Sequence, residues 1–466
     1  MSGAAPDWDA LRGAIAGEVI LPGSPGYELA RKPPIARFHD VLPAAVVRCA
    51  TPADVGATVR LARRAGLPMA TRSGGHCFAG HSSTRGVVID VTPMRSVSVE
   101  GGVATVGAGA RLGELYDSLA ALGRTIPAGC GPSVGIAGLT LGGGLGILGR
   151  SYGLTSDHLR AAQAVLADGR VVDCDDHHDQ DLLWALRGAG AGGFGVVTSL
   201  VFGTVPAPAV TSFHLVWPHG RAVPAIDAWQ SWAPAAPDEL AASLLVTAPA
   251  DLGRPPAVHL FGAMLGAGPD TEKLLDELVV RVGADPASAA LEHLPFRDAK
   301  RYLAEHGPGD DRPLGQLFSK SEFFGRPLPS EAVAAVVDNL SELRVQGQSR
   351  ELDFTPWGGA YNRVRADATA FVHRDARFLL KHAVVVGPGA SPAERRASRR
   401  WLASSWAAVH PWGSGGVYPN FPDPDLDGWA HAYYGANDGR LRRVKRRYDP
   451  DNVFRSPQSL TAQGAR

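Results

Sequence analysis

The chain has 466 residues, of which 20% are charged, and its 46 basic side chains balance its 46 acidic ones. A neutral chain lacks the positive charge that attracts nucleic acids or anionic membranes, so neither partner is expected. The length exceeds what one compact core supports, and we therefore expect two domains. The four cysteines form no C-x-x-C pair, and the first ten residues lack the basic and apolar parts of a secretory signal. Both features favour a cytoplasmic protein.

The first part of the chain alternates between helix and strand patterns. The segment after Thr51 predicts a helix, because threonine is a good N-cap, proline follows it, and the pattern ends at Gly66. Two β-branched runs bounded by glycines, residues 86–91 and 103–109, predict strands. A helical pattern returns over residues 111–123.

The order of the predicted helices and strands changes at about residue 206. After "PAPAV" the patterns follow the order strand, helix, strand, strand, helix, which predicts a second domain with an antiparallel sheet backed by helices. The last segment, "GRLRRVKRRYDPDNVF", predicts a basic helix that ends before Pro450. Its basic side chains have no interleaved aromatic residues, so we interpret them as a solvated helix face.

Two glycine-rich stretches stand out, "TRSGGHCFAG" (71–80) and "PAGCGPSVGIAGLTLGGGLGILGRSYGLTSDHL" (127–159). The second contains the spacing Gly144-x-Gly146-x-x-Gly149 of a dinucleotide fingerprint, but the helix that should follow is broken at "GRSYGLTSD". No Gly-Lys-Ser/Thr follows either, which excludes an ATP-type phosphate loop. So much backbone without Cβ atoms indicates close approach to a flat or anionic ligand.

The chain resembles the FAD-linked oxidases of the berberine bridge enzyme type, a branch of the vanillyl-alcohol oxidase superfamily. The resemblance rests on the ordered motifs "TRSGGHCFAG", "VVIDV", "GAGARLGELYDSL", "GLTLGGGLG", "YGLTSDHL", "VLADG", "ALRGAGAGGFGVVTSL" and "YDPDNVF". It implies an α+β fold with a two-subdomain FAD-binding domain of the PCMH type over residues 1–205. It further implies a substrate domain, an antiparallel sheet backed by helices, over 206–414, and a C-terminal segment, 415–466, that returns to the FAD domain.

In that family the histidine of an Arg-x-Gly-Gly-His motif bonds through a ring nitrogen to the 8α-methyl group of the flavin. Arg72 and His76 stand at these places, so the resemblance implies FAD linked covalently through His76. Flanking glycines let backbone N–H groups wrap the diphosphate. The cofactor-binding residues that the resemblance implies are Arg72, Ser73, Gly74, Gly75, His76, Cys77, Gly80, His81, Ser82, Gly129, Cys130, Gly131, Val134, Gly135, Gly138, Leu139, Gly142, Gly143, Gly146, Tyr152, Gly153, Asp157, His158, Gly195, Val196, Val197, Tyr418, Asn420 and Phe421.

Many relatives carry a second link, from a cysteine to C6 of the flavin, in a stretch like Gly-x-Cys-Pro-x-Val-Gly. Here "GCGPSVG" (129–135) puts Gly131 at the ligand position and Cys130 one residue early. Consecutive extended residues point to opposite sides, so this shift aims the thiol away from the ring, whereas the flanking glycines would let the loop readjust. A second link through Cys130 therefore stays open, with Cys77 beside His76 as the other thiol.

The catalytic residues that the resemblance implies lie in the second domain and the C-terminal segment. "TPWGGAYNRVRADATAFVHR" (355–374) resembles a family strand, and Asn362 falls where relatives place a carboxylate or amide toward the substrate. Because asparagine is no general base, we predict that Tyr418 of "YPNF" accepts the proton, with a pKa lowered by the flavin and a neighbouring cation. Tyr361 and Tyr152 are further pocket candidates.

The activity implied is that of an oxidase. A hydride would pass from a C–H bond next to a hydroxyl or amine of a carbohydrate or natural product to flavin N5, and O2 would reoxidise the flavin to give H2O2. The alternative is a flavin-dependent dehydrogenase or oxidative cyclase of secondary metabolism with the same fold. We expect a small-molecule substrate and O2 as partners, a monomer or homodimer, and no metal, because "CDDHHDQD" (174–181) is typical of a solvated turn.

Overall fold

The computed structural model describes residues 5–190, 193–266, 268–306 and 315–461, so both outer ends of the expected domain division, residues 1 and 466, lie outside the described residues. The chain begins with a small mixed sheet in the order β1-β2-β4-β3, in which β2 and β3 run parallel to β4. Its elements are α1 (Trp8–Ala14), β1 (Glu18–Ile20), α2 (Tyr27–Arg31), β2 (Ala45–Arg48), α3 (Pro52–Arg64), β3 (Met69–Arg72) and β4 (Val87–Asp90).

Helix α3 confirms the sequence prediction for this segment. Thr51 Oγ1 accepts the Asp54 N–H at 3.2 Å, and the Asp54 carboxylate accepts the Thr51 N–H at 3.3 Å. This reciprocal pair satisfies two of the unpaired donors at the helix start. Because β3 ends at Arg72, the first glycine stretch begins at the edge of the sheet.

A second, antiparallel sheet has the order β5-β6-β10-β8-β9 and shares one hydrophobic core with the first sheet. The strand predicted at 103–109 and the helix predicted at 111–123 are both present. The elements are β5 (Val97–Glu100), β6 (Val103–Gly107), α4 (Leu112–Ala120), β7 (Arg124–Thr125), α5 (Ile136–Leu141), α6 (Gly149–Tyr152), β8 (Leu159–Val165), β9 (Val171–Cys174), α7 (Gln180–Leu186), β10 (Val196–Gly203) and β11 (Val205–Pro206), which pairs with β7.

A large antiparallel sheet in the order β15-β12-β14-β13-β17-β18-β16 carries the rest of the chain as far as residue 407. Helices α8, α9, α11 and α13 cover one of its faces and form a second core with it, which is the helix-backed sheet that the sequence predicts. The elements are β12 (Ala209–Pro218), α8 (Ala222–Trp232), β13 (Leu240–Ala248), β14 (Ala257–Leu265), α9 (Gly268–Val282), β15 (Ser288–Pro295), α10 (Phe296–His306), β16 (Gln316–Phe324), α11 (Ser330–Ser341), β17 (Gln348–Pro356), α12 (Ala360–Arg363), β18 (Phe378–Val386) and α13 (Pro392–Ala407).

Residues 355–374 do not form the strand that the sequence analysis expects. Strand β17 ends at Pro356, and Gly358 and Gly359 then adopt φ angles of +101° and +57°. This left-handed turn, open to glycine and strained for other residues, reverses the chain into the short helix α12. The segment therefore returns toward the second glycine stretch instead of continuing the sheet.

The C-terminal segment packs back into the first core. Its helices are α14 (Trp429–Tyr434) and α15 (Asp438–Tyr448), and the basic helix predicted before Pro450 is α15. Leu441 and Val444 of α15 are buried in that core, and the buried Lys445 ammonium donates to Asp449 at 2.6 Å.

Short 3₁₀ turns lie at Ala36–Phe38, Thr155–His158, His219–Arg221, Ala233–Ala235, His410–Trp412 and Gly435–Asn437. Within the described ranges, no helix combines the length and the apolar character that a bilayer crossing requires.

Candidate active site

A cavity of about 570 Å³ lies between the first core and the open face of the large sheet. Both glycine stretches form one wall, which we call the glycine wall (residues 71–82 and 129–147). The uncovered face of β13, β14, β17 and β18 forms the opposite wall, which we call the sheet wall. The loop after α13, residues 418–422, closes the cavity between the two walls.

The two glycine stretches touch each other directly. A Cβ atom on Gly74 would overlap the backbone nitrogen of Gly135, and one on Gly135 would overlap Ser73 Oγ. Both glycines also line the cavity. Glycine is therefore required at positions 74 and 135 because the two backbones touch there, and this contact determines the shape of the wall.

His76 and Ser133 join the two stretches through their side chains. Ser133 Oγ lies 3.1 Å from His76 Nε2, and both residues line the cavity. Next to His76, Cys77 lies close to the side chain of His81, and both residues line the cavity. Burial disfavours the Cys77 thiolate, but the nearby His81 outweighs burial and lowers the pKa of Cys77.

Cys130 is held from behind the glycine wall by a lysine of α10. Lys300 is buried, with 4% of the residue exposed. Its ammonium donates to Ala128 O at 2.6 Å and to Gly129 O at 3.2 Å, and lies 3.6 Å from Cys130 Sγ. Burial lowers the pKa of Lys300. A Cβ atom on Gly131 would meet Val134 Cγ2 at 3.0 Å, so a side chain at position 131 would require the Val134 side chain to move.

Tyr418 carries a phenol oxygen surrounded by donors. The N–H groups of Gly144 and Leu145 donate to Tyr418 Oη at 3.0 and 3.2 Å, and Asn420 Nδ2 donates to it at 3.0 Å. Asn420 also donates to Leu139 O at 2.8 Å, which fixes its amide. Burial raises the pKa of Tyr418 to about 12, although the three hydrogen bonds oppose that rise. In the protein alone, the lowered pKa expected from the sequence is therefore not found.

Tyr361 and Arg150 lie beside Tyr418 in the cavity wall. Tyr361 Oη donates to Gly146 O at 3.1 Å, and its ring stacks on Trp357 with centroids 4.3 Å apart. The buried Arg150 guanidinium donates to the Trp357 carbonyl. Burial raises the pKa of Tyr361 well above its ordinary value, so this phenol is neutral near pH 7.

Charged side chains of the sheet wall were not found by sequence reasoning. Lys381 Nζ lies 2.8 Å from Asp353 Oδ2, with Glu351 two residues earlier on the same face of β17. Burial alone would lower the pKa of Lys381, but the two carboxylates raise it. The ammonium lies 5.2 Å from the centre of the Phe421 ring. The alternation in "RELDFT" is the signal that could have found this face.

The structure brings most of the sequence-predicted residues together. Those that line the cavity are Ser73, Gly74, Gly75, His76, Cys77, His81, Ser82, Gly129, Cys130, Gly131, Val134, Gly135, Gly138, Leu139, Gly146, Gly195, Val197, Tyr361, Tyr418, Asn420 and Phe421. Those that do not line the cavity are Arg72, Gly80, Gly142, Gly143, Tyr152, Gly153, Asp157, His158, Val196 and Asn362.

Several of the outlying residues support the wall from behind. Arg72 donates to the carbonyls of Ala30 and Arg31 at 2.6 and 3.1 Å, and Asp157 pairs with Arg374 at 2.6 Å. These buried bonds hold the backbone on which the wall is built.

Three further outlying residues correct the sequence analysis more directly. Gly143, at φ +113°, makes room for Phe371 rather than for a ligand, and a Cβ on Gly142 would overlap the Asn420 side chain. Asn362 is exposed on α12 and donates to Ala376 O at 2.9 Å. The expected substrate-facing amide is therefore absent from that position, because the turn at Gly358 carries Asn362 away from the cavity.

Comparison with known proteins agrees with this architecture. The family description "FAD binding domain" matches residues 43–175, and "Berberine and berberine like" matches residues 417–461. The chain is 35% identical over 454 residues to the FAD-linked oxidoreductase YvdP of Bacillus subtilis (strain 168), covering 96% of this chain and 98% of the other. It is 30% identical over 440 residues to the chitooligosaccharide oxidase of Gibberella zeae, covering 90% and 87%.

A solved structure matches over nearly the whole chain. Glucooligosaccharide oxidase from Acremonium strictum, described with a 6-S-cysteinyl, 8α-N1-histidyl FAD, superposes with a TM-score of 0.85 and 25% identity. The match covers 98% of this chain and 100% of that one. Fold and cavity together define a flavoprotein oxidoreductase with a PCMH-type FAD-binding domain. The chain belongs to the berberine-bridge-enzyme-like family of FAD-linked oxidoreductases, as the sequence motifs predict.

The glycine wall fits FAD. Ser82 Oγ is a buried hydroxyl in this wall without a hydrogen-bond partner among the described residues. Gly138 presents bare backbone to open space, since a Cβ there would meet nothing within 4 Å. The rings of Phe78 and Phe421 stack at 5.4 Å at the edge of the same cavity. A polar, glycine-lined surface next to aromatic rings suits a ligand with a diphosphate and a flat ring system.

Proposed function

We propose that this protein is an oxidase acting on a carbohydrate or a related natural product. It removes a hydride from a carbon that bears a hydroxyl or an amine, and the electrons leave through FAD to O2, giving H2O2. The observation that carries the proposal is Tyr418, a residue that lines the cavity and whose buried phenol oxygen has three N–H donors around it. The proposal includes a division of the chain into domains after residues 205 and 414. The cytoplasmic location and the monomeric or homodimeric state remain predictions.

FAD is covalently attached through His76 in this proposal. The supporting observations are that His76 lines the cavity beside bare glycine backbone and that glucooligosaccharide oxidase is described with a histidyl link. A second link through Cys130 is left out of this proposal, because Cys130 stands one residue before the position that matches the ligand cysteine of the family. One covalent bond through His76 is therefore the form that we propose.

Tyr418 is the proposed general base. Removing a hydride from a carbinol carbon leaves a protonated carbonyl unless the hydroxyl proton departs in the same step. The three N–H donors around the phenol oxygen stabilise its phenolate and oppose the effect of burial, which holds the pKa of Tyr418 at about 12 in the protein alone. Bound FAD supplies the hydride acceptor and the exit for electrons. Tyr361 is neutral and bonded to Gly146 O, which suits it to shape the pocket.

The sheet wall is the proposed substrate surface. Glu351, Asp353 and Lys381 offer acceptors and a donor across the cavity from His76. Such groups form hydrogen bonds with the hydroxyls of a sugar, and nearby rings can cover its apolar face. The relatives named as chitooligosaccharide and glucooligosaccharide oxidases favour an oligosaccharide among the substrate classes.

An anaerobic spectroscopic titration tests the proposal. The purified yellow protein is mixed without oxygen with chito-, gluco- and xylooligosaccharides and with simple alcohols and amines, and the flavin absorbance is followed. An oxidase bleaches with its substrate and recovers its colour in air while releasing H2O2. Bleaching without recovery in air would point to the dehydrogenase instead. A protein that no reductant of the panel bleaches would contradict the proposed substrate class.

A further inference from the structure

The contact between His76 and Ser133 bears on how the flavin is attached. Ser133 Oγ lies 3.1 Å from His76 Nε2, and the two side chains come from different glycine stretches. Their register is fixed by backbone contact, because a Cβ on Gly74 would come within 2.9 Å of Ser133 O. The turn that carries Ser133 is closed by the Val134 N–H, which donates to Gly131 O at 3.2 Å. The hydroxyl is therefore held against one particular ring nitrogen.

A neutral imidazole has one nitrogen with a proton and one with a lone pair, and the hydrogen bond at one nitrogen selects the state of the other. We infer that Ser133 accepts the Nε2 proton of His76 and thereby selects the tautomer whose Nδ1 attacks the flavin. This inference rests on the covalent attachment proposed above. It makes Ser133 a positioning residue, since it acts on the reaction through His76.

The balance of the attachment step explains why a hydroxyl suits this place. The bond from Nδ1 to the 8α carbon forms as one C–H bond of the 8α-methyl group breaks. The flavin takes up two electrons and two protons, one from that methyl group and one from His76 Nε2, and O2 then takes them as H2O2. Nε2 afterwards holds a lone pair, so its partner must change from acceptor to donor. A serine hydroxyl does both by rotating its proton, whereas a carbonyl or an ammonium cannot.

The test compares two replacements of the same shape that differ in the hydroxyl, Ser133→Thr and Ser133→Val, with Ser118→Ala on an exposed helix face as a remote control. Each protein is precipitated with acid, and the flavin that stays with the polypeptide is compared with total flavin. The flavin peptide is then isolated, and NMR identifies the bonded ring nitrogen, because just an Nε2 link places the 8α methylene protons next to the ring proton Hδ2.

The inference predicts that the parent, Ser133→Thr and Ser118→Ala carry flavin on Nδ1 alone. In Ser133→Val the attached fraction should fall roughly three- to tenfold, the effect of losing one hydrogen bond. The residual product should contain Nε2-linked flavin. Equal attachment in the threonine and valine variants, all on Nδ1, would overturn the role of Ser133 while leaving the proposed function intact. A parent protein without covalent flavin would overturn the attachment itself and the inference with it.

Discussion

The glycine wall and the sheet wall face each other across one cavity but are built differently. The glycine wall is backbone against backbone, as at Gly74 and Gly135, where any side chain would separate the two stretches. The sheet wall consists of side chains on alternate strand positions, such as Asp353 and Lys381. A wall of backbone holds one cofactor and tolerates little change. The side chains of the sheet wall can be substituted to bind a new substrate without disturbing the strands that carry them.

The largest expected effect lies where the two walls meet, at Tyr418. The variant Tyr418→Phe should keep fold and flavin but slow anaerobic flavin reduction on the order of a hundredfold or more, since a general base is lost. In the parent the rate should rise with pH, because burial holds the pKa of Tyr418 at about 12 in the protein alone and the base form grows with pH. The variant should lose that rise. Tyr27→Phe, another buried tyrosine far from the cavity, is the control, and a parent-like profile in Tyr418→Phe would make Tyr418 a packing residue.

Substitutions at two positions of the glycine wall distinguish glycines that contact the cofactor from glycines that allow the chain to pack. Gly138→Leu should fold normally, because a Cβ there meets open space, yet bind FAD roughly tenfold or more weakly, since overpacking costs about 1–3 kcal/mol. Gly143→Ala should instead lower the free energy of unfolding by about 1–3 kcal/mol, while the folded protein keeps FAD. The reasons are the φ of +113° at this position and the Phe371 ring, which lies 3.0 Å from the new Cβ. Thermal unfolding and flavin titration measure both, and a fully loaded Gly138→Leu protein would refute the cofactor-facing assignment.

The aromatic cluster behind Tyr418 connects the two walls and should make the protein sensitive to acid. His373 stacks on Phe323 at 4.5 Å, and burial lowers the pKa of His373 from 6.5 to about 4. The unfolded chain binds this proton more readily, so stability is present above pH 6.5 and is lost as the pH falls toward 4. Denaturant unfolding should show a loss of about 2 kcal/mol from this group between pH 7.5 and 5. His373→Gln should flatten that dependence, and an unchanged slope would assign the acid sensitivity to other groups.

The smallest expected effect lies on the sheet wall. The double variant Asp353→Asn/Lys381→Met removes both partners of the pair together, so neither is left behind as an unpaired charge. It should raise the KM for the best substrate about tenfold, the effect of losing hydrogen bonds to charged groups, while flavin content stays constant. The exposed pair Arg95 and Glu114, replaced in the same way, is the control. A parent-like KM would remove this pair from the substrate surface.

The sequence predicts the glycine wall better than the sheet wall, for a physical reason. Glycine stretches, the Thr51 cap and the His76 motif are local features, and local features determine where backbone can come close. Whether Lys381 meets Asp353 depends on the register of β17 and β18, which the long connection between them, residues 357–377, does not reveal. The same limit applies to Lys300, which reaches Cys130 from 170 positions away. Asn362 was misplaced because the positive φ angles of Gly358 and Gly359 break a pattern that otherwise fits a strand.

The attachment of FAD to the glycine wall through His76 is the central proposal, and the mass of one peptide tests it directly. The parent protein and His76→Ala are denatured in acid and digested, and the tryptic peptide spanning residue 76 is analysed by mass spectrometry. We predict that the parent peptide carries the added mass of the flavin on His76, while the variant peptide is unmodified and its flavin stays in the acid supernatant. An unmodified parent peptide, with all flavin in the supernatant, would contradict the account.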